Sequence, residues 1–213
     1  MKLLLTSAGI TNQLIADTLS DLVGKLPSDI KIGFIPMAKN VEINNATWLV
    51  KKLSQMFEFG FTDVELVDPS ANDTNWQTRL AEKDVILVGG GNTFHLLNQM
   101  RITGFDGWLQ SNLGNKVYVG ISAGSIVATP NIAIASVGDG DENIPGINDL
   151  TGLSFVSFEV SPHSPESVTH EENQAYANLI TNQLYAYDDN SALRIDGANI
   201  KVISESVWEK FND

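Results

Sequence analysis

Lys116-Val117-Tyr118-Val119-Gly120-Ile121-Ser122-Ala123-Gly124-Ser125-Ile126-Val127 reads as a buried strand that turns sharply into a helix. Val117, Tyr118 and Val119 are strand formers in succession, which suits a parallel strand covered on both faces. Gly120-Ile121-Ser122-Ala123-Gly124 then matches G-x-S-x-G, a pattern that sets a serine on a tight strand-to-helix turn. The turn explains both glycines. A serine in a strained backbone conformation leaves no room for side chains two residues before and after it. The hydroxyl is delivered to the carboxyl edge of the sheet, where the free N–H groups of the next helix favour developing negative charge. Ser125-Ile126-Val127-Ala128 supply that helix, and Pro130 ends it. A solvent-facing serine on a tight turn would give the same string. The strand before and the helix after favour Ser122 as a nucleophile.

On either side of this turn, short apolar runs alternate with helical stretches. Lys2–Thr6, Lys31–Met37, Asp63–Val67, Asp84–Val88 and Lys116–Ile121 read as strands. Asn12–Leu26, Val41–Phe59, Asn75–Glu82, Thr93–Met100 and Phe105–Leu113 read as helices. Val-, Ile- and Leu-rich strands between amphipathic helices predict an α/β fold with a mostly parallel sheet and helices on both faces. The last third differs. Ser154–Val160 reads as a strand, Glu171–Ile180 as a helix, and Leu184–Tyr187, Ala192–Ile195 and Lys201–Ser204 as short strands. Asp196-Gly197-Ala198-Asn199 carries turn chemistry, which predicts a C-terminal antiparallel hairpin. Gly138–Gly152, rich in glycine and acids, reads as a long loop.

With 213 residues and 43% hydrophobic residues, residues 1–213 suit one sizeable domain with a full core. There is no cysteine, so disulfides, thiolate metal sites and a cysteine nucleophile are excluded. Neither a metal nor a cofactor is expected. The net charge of −13, from 26 acidic and 13 basic residues, argues against nucleic-acid binding, which needs a basic footprint. It also repels anionic substrates unless a local basic group offsets the field. Leu3-Leu4-Leu5 is too short for a signal-peptide core and fits a first strand. No stretch approaches the ~20 apolar residues of a membrane span. The cytoplasm is the expected location.

A serine nucleophile needs a base, and histidine is the usual one. Of three histidines, His163 stands directly after an apolar strand, in Ser161-Pro162-His163-Ser164-Pro165. That puts it on a loop at a strand end, as the nucleophile is, and His163 is the expected base. His95 and His170 open helices and are either surface residues or substrate contacts. Gly89-Gly90-Gly91-Asn92-Thr93 also joins a strand to a helix. The G-x-G-x-x-G spacing of a dinucleotide site is absent, since Phe94 stands where the third glycine would be, and no P-loop lysine follows. The run instead suits an oxyanion hole, with an N–H from Gly90 or Gly91 and another from Ala123. Asn92 or Thr93 would cap the helix.

Val88-Gly89-Gly90-Gly91-Asn92-Thr93-Phe94, Gly120-Ile121-Ser122-Ala123-Gly124 and Val160-Ser161-Pro162-His163, in this order, resemble dipeptidase E. This is the aspartyl dipeptidase family of serine peptidases, whose relatives include cyanophycinases. The resemblance covers nearly the whole chain. It implies a fold like that of class I glutamine amidotransferases, with serine in place of their cysteine. It implies hydrolysis of a small peptide, cut after an N-terminal aspartate, through an acyl-enzyme. Ser122 would attack, His163 would act as base, and Gly90, Gly91, Ala123 and Asn92 would line the oxyanion and substrate site.

Two positions depart from the family pattern. The place of the family's acidic third member is taken by Val137; Asp139, Asp141 and Glu142 lie just beyond it, and Asp139 is the expected acid. The family's aspartate-reading arginine after the catalytic histidine is also missing, and His170 occupies that place. A neutral histidine is a poor carboxylate clamp beside a guanidinium fork. A small peptide is the expected partner, with a homodimer allowed. Esterase or amidase chemistry on the same site, a non-catalytic ligand-binding protein and a nucleotide-binding module are the alternatives.

Overall fold

The computed structural model describes residues 1–41, 47–71 and 75–213. The strands are β1 (Lys2–Thr6), β2 (Lys31–Ile35), β3 (Asp63–Leu66), β4 (Val85–Val88), β5 (Val117–Ile121), β6 (Glu159–Pro162), β7 (Leu184–Tyr187), β8 (Ser191–Asp196), β9 (Asn199–Ser204) and β10 (Trp208–Phe211). The helices are α1 (Gln13–Val23), α2 (Thr47–Glu58), α3 (Trp76–Ala81), α4 (Thr93–Thr103), α5 (Phe105–Asn112), α6 (Ala123–Ile126) and α7 (His170–Ala177). The main sheet has the order β3-β2-β4-β5-β1-β8-β9. Its first five strands are mutually parallel. β8 runs antiparallel to β1 and forms the expected hairpin with β9.

Every residue of β4 and β5 is buried, as the unbroken apolar runs require. Two apolar cores result, one on each face. Ile15, Ala16, Leu19 and Leu22 of α1 close one face over Leu4, Phe34 and Val119. Leu80 of α3, Leu97 of α4 and Phe105 of α5 close the other over Leu3, Ile86 and Tyr118. Truncating one such leucine to alanine typically costs about 2–5 kcal/mol. Helix ends follow their caps. Asn12 accepts from Ile15 N and starts α1, and Gly24 in the left-handed region ends it. Asn92 and Gly104 do the same for α4. Residues 42–46, which belong to the expected helix over Val41–Phe59, lie outside the described residues; the helix spans Thr47–Glu58.

The last third departs from expectation. Residues 154–158 form no strand. The N–H groups of Leu153, Ser154 and Phe155 donate instead to the carbonyls of Val127, Thr129 and Ala128, at the end of α6. The strand begins at Glu159 and pairs in parallel with β7, which pairs antiparallel with β10. This second, three-stranded sheet β10-β7-β6 and the strand β10 are absent from the sequence reading.

Candidate active site

Three neighbouring strand ends of the main sheet meet two of the small sheet. β4 leads into Gly89-Gly90-Gly91, β5 into Ser122 and β1 into Ser7; β6 leads into His163 and β7 into Asp188-Asp189. Ser122 has φ 50° and ψ −110°, the strained conformation that the pentapeptide requires. Such a residue costs about 1–3 kcal/mol and persists only where its surroundings hold it. Those surroundings are specific. A Cβ on Gly120 would lie 2.6 Å from Gly124 O and Ser125 N, and one on Gly124 would run into the Val88 carbonyl. Ser122 N donates to Thr6 O at 3.0 Å, Ser125 Oγ to the same oxygen at 2.8 Å, and Tyr118 Oη to Gly124 O at 2.6 Å.

His163 is also in the left-handed region, at φ 60°. Its Nδ1 lies 2.6 Å from Asp189 Oδ1. Ser7 locks the pair: its Oγ donates to Asp189 Oδ1 at 2.7 Å and accepts from His163 N at 2.8 Å. The hydrogen bonds from His163 and then Ser7, and the nearby charge of Lys52, hold the Asp189 carboxyl below its usual range, against the effect of partial burial. An ionised carboxylate only accepts, so Nδ1 carries the proton and Nε2 is left to accept one. Ser122 and His163 line the same two cavities. Among the described residues no hydrogen bond joins Ser122 Oγ to His163, and such contacts commonly tighten only with substrate.

A family model described as Peptidase family S51 matches residues 3–203. The chain belongs to peptidase family S51. It is 29% identical to an uncharacterized peptidase of Listeria monocytogenes over 85% of this chain and 87% of that protein. It is 33% identical to an uncharacterized peptidase of Pasteurella multocida over 69% of this chain and 70% of that one. A Peptidase E of Nostoc is 30% identical over 67% of this chain, but the match spans only 56% of that longer protein. A solved structure from Listeria monocytogenes EGD-e, described as a candidate Peptidase E, superposes with a TM-score of 0.80 at 24% identity, covering 96% of this chain and 98% of that one. The fold is therefore shared, and membership of the family supports peptidase activity.

In this S51 chain the residues singled out by sequence scatter into three groups. Ser122, His163, Gly90, Gly91 and Ala123 come together. A Cβ on Gly90 would touch Ser122 Cβ at 3.3 Å, so the glycine turn lies against the nucleophile candidate. Among the described residues neither Gly90 N nor Gly91 N donates to a backbone carbonyl, and Ala123 N opens a helix. Asp139 corrects the expectation made for it. It lines a cavity beside Ser122, but its backbone N–H donates to Ser167 O, and the carboxylate on His163 Nδ1 is that of Asp189. Asp141 accepts from Thr93 N at 2.7 Å, and Glu142 offers its backbone oxygen to Asn92 Nδ2 at 2.8 Å. The loop after Val137 is thereby tied to the start of α4.

Asn92 caps α4 as expected, but the substrate-lining roles expected of Asn92 and His170 are corrected. Asn92 is buried and spends its side chain on capping α4 and on Glu142. His170 faces Glu209 of β10, with Nδ1 2.9 Å from Oε1, and lines a separate small cleft with Ser164, Pro165 and Trp208. That hydrogen bond pushes the His170 imidazole up from its ordinary value.

Sequence reasoning missed Asp189 and Ser7. β6 and β7 are parallel with Pro162 opposite Tyr187, so the residues following both strands emerge at one edge. An acid two residues past a strand that pairs with the histidine's strand was the available signal. It required knowing that pairing.

Proposed function

We propose that this chain is a serine peptidase acting on small peptides through an acyl-enzyme at Ser122. One observation carries the reading: His163 is held by Asp189 through Nδ1, on the same cavities that Ser122 lines. In this reading Nε2 takes the proton from Ser122 Oγ as the oxygen attacks the scissile carbonyl. Asp189 keeps the tautomer and stabilises the imidazolium that forms. Ala123 N and an N–H of Gly90 or Gly91 meet the oxyanion, worth roughly 10²–10³-fold in rate for one such donor. His163 then returns the proton to the leaving amine, and water releases the acyl group by the same route. A cytoplasmic location belongs to this proposal; among the described residues no helix is long and apolar enough to cross a membrane.

Asp189 supplies His163 with the orienting carboxylate that Val137 does not, which supports catalysis over ligand binding alone. A fluorophosphonate probe with mass-spectrometric site mapping tests the nucleophile. Labelling of Ser122, absent in Ser122→Ala, is the expected result; labelling of another serine, or none in folded protein, overturns it. Turnover of esters with no turnover across a dipeptide panel would replace the peptidase reading with general acyl hydrolysis.

A further inference from the structure

Two cavities open on Ser122 and His163, and their walls carry opposite charge. The smaller, about 110 Å³, has an apolar wall of Ile126, Ile134 and Val137. Asp139 and Asp141 also line it, and among the described residues no lysine or arginine does. The larger, about 380 Å³, is lined by Lys39, Lys51 and Lys52 with Trp48. In a chain of net charge −13 with only 13 basic residues, three lysines against the single carboxylate of Asp189 form a local reversal of the field. Lys52 is 7% exposed. Its Nζ donates to the neutral Gln55 Oε1 at 3.3 Å, and Asp189, whose charge acts on it, is shared with His163 and Ser7. Burial pushes the Lys52 ammonium down from its ordinary value. A buried cation in a cavity wall is stabilised by an anion that enters the cavity.

We propose that the site takes dipeptides with both termini free and a small apolar first residue. The ammonium is held by Asp139, the first side chain lies on Ile126, Ile134 and Val137, and the carboxylate of the second residue is held by Lys52 with Lys51. The inference rests on the serine-peptidase reading. It fixes direction: the acyl half lies in the acidic cavity and the leaving half in the basic one. It also disfavours an N-terminal aspartate, whose side chain would meet the carboxylates of Asp139 and Asp141 in a wall that has no lysine or arginine among the described residues.

The test is ligand binding to Ser122→Ala, which does not depend on turnover. Nuclear magnetic resonance titrations compare Ala-Ala with its C-terminal amide, with N-acetyl-Ala-Ala and with Asp-Ala. Ala-Ala is expected to bind at least about tenfold more tightly than each of the three, the scale of one lost charge-assisted hydrogen bond. Adding Lys52→Met should narrow the gap between acid and amide and leave that between free and acetylated amine. Equal binding of acid and amide, binding of Asp-Ala as tight as Ala-Ala, or no binding of Ala-Ala overturns the proposal. These outcomes are separate from the fate of the serine reading, which the fluorophosphonate experiment on the wild-type protein decides.

Discussion

His163 and Asp189 share a 2.6 Å hydrogen bond, although 26 residues and two strand ends separate them. The bond exists because β6 and β7 are parallel neighbours. It fixes which imidazole nitrogen is free, and so which face of the ring can accept a proton.

Asp189→Asn and Asp139→Asn should therefore fail differently. The asparagine at 189 can present an N–H to Nδ1 and favour the wrong tautomer. A loss in kcat of at least about 100-fold, and up to about 10⁴-fold, is expected. At 139 the carboxylate touches substrate in the arrangement proposed above, so KM should rise while kcat changes little. Steady-state kinetics on a cleaved dipeptide separates the two. A kcat collapse in Asp139→Asn alone would restore Asp139 as the orienting acid.

Ser7 is a positioning residue. Its hydroxyl holds both His163 N and Asp189 Oδ1. Ser7→Ala leaves a backbone donor and a carboxylate short of one partner each, and should lower kcat about tenfold with KM nearly unchanged. Ser7→Thr keeps the hydroxyl and should recover most of the rate. If Thr behaves as Ala does, the side chain matters for packing and not for the hydrogen bonds.

The elbow should be intolerant of a single methyl group. Gly124 packs against the Val88 carbonyl, a rigid backbone atom of the neighbouring strand. Gly124→Ala must move β4 or α6, at a cost of about 1–3 kcal/mol or more. Urea unfolding should show that loss, and fluorophosphonate labelling of the folded fraction should slow with it. Gly107→Ala is the control, because a Cβ there meets nothing within 4 Å.

The contrast between what the sequence showed and hid has a physical basis. The elbow and the glycine run were legible because each is local: steric demands within five residues leave a fixed string. The parallel strands were legible because burial on both faces forces unbroken apolar runs such as Val85–Val88. Asp189 was hidden because it depends on a non-local pairing. Asp188-Asp189-Asn190 has the composition of any turn, and Asp188 does act as one, accepting from Ser191 Oγ at 2.6 Å and Asn190 N at 3.1 Å. Lys52 was hidden for a similar reason. It lies on an amphipathic helix where a lysine ordinarily faces water, yet it is turned toward Asp189 and the cavity.

His170 supplies a prediction in which stability and catalysis part. Its imidazole pairs with Glu209 through a 2.9 Å hydrogen bond, on a cleft that excludes Ser122. The pairing raises the His170 pKa above its unfolded value of 6.5. A raised pKa means that the folded state binds the proton more tightly. The contribution is thus fully present below about pH 6.5 and is lost as pH rises through the higher folded value. His170→Ala should lower Tm slightly at pH 5.5, and the difference should shrink by pH 9. Because both side chains are exposed, the shift should be small and should weaken further in high salt. Over the same range kcat and KM should stay within about twofold of wild type, since the residue touches neither cavity at Ser122. A large KM change on removing His170 would return it to the substrate site.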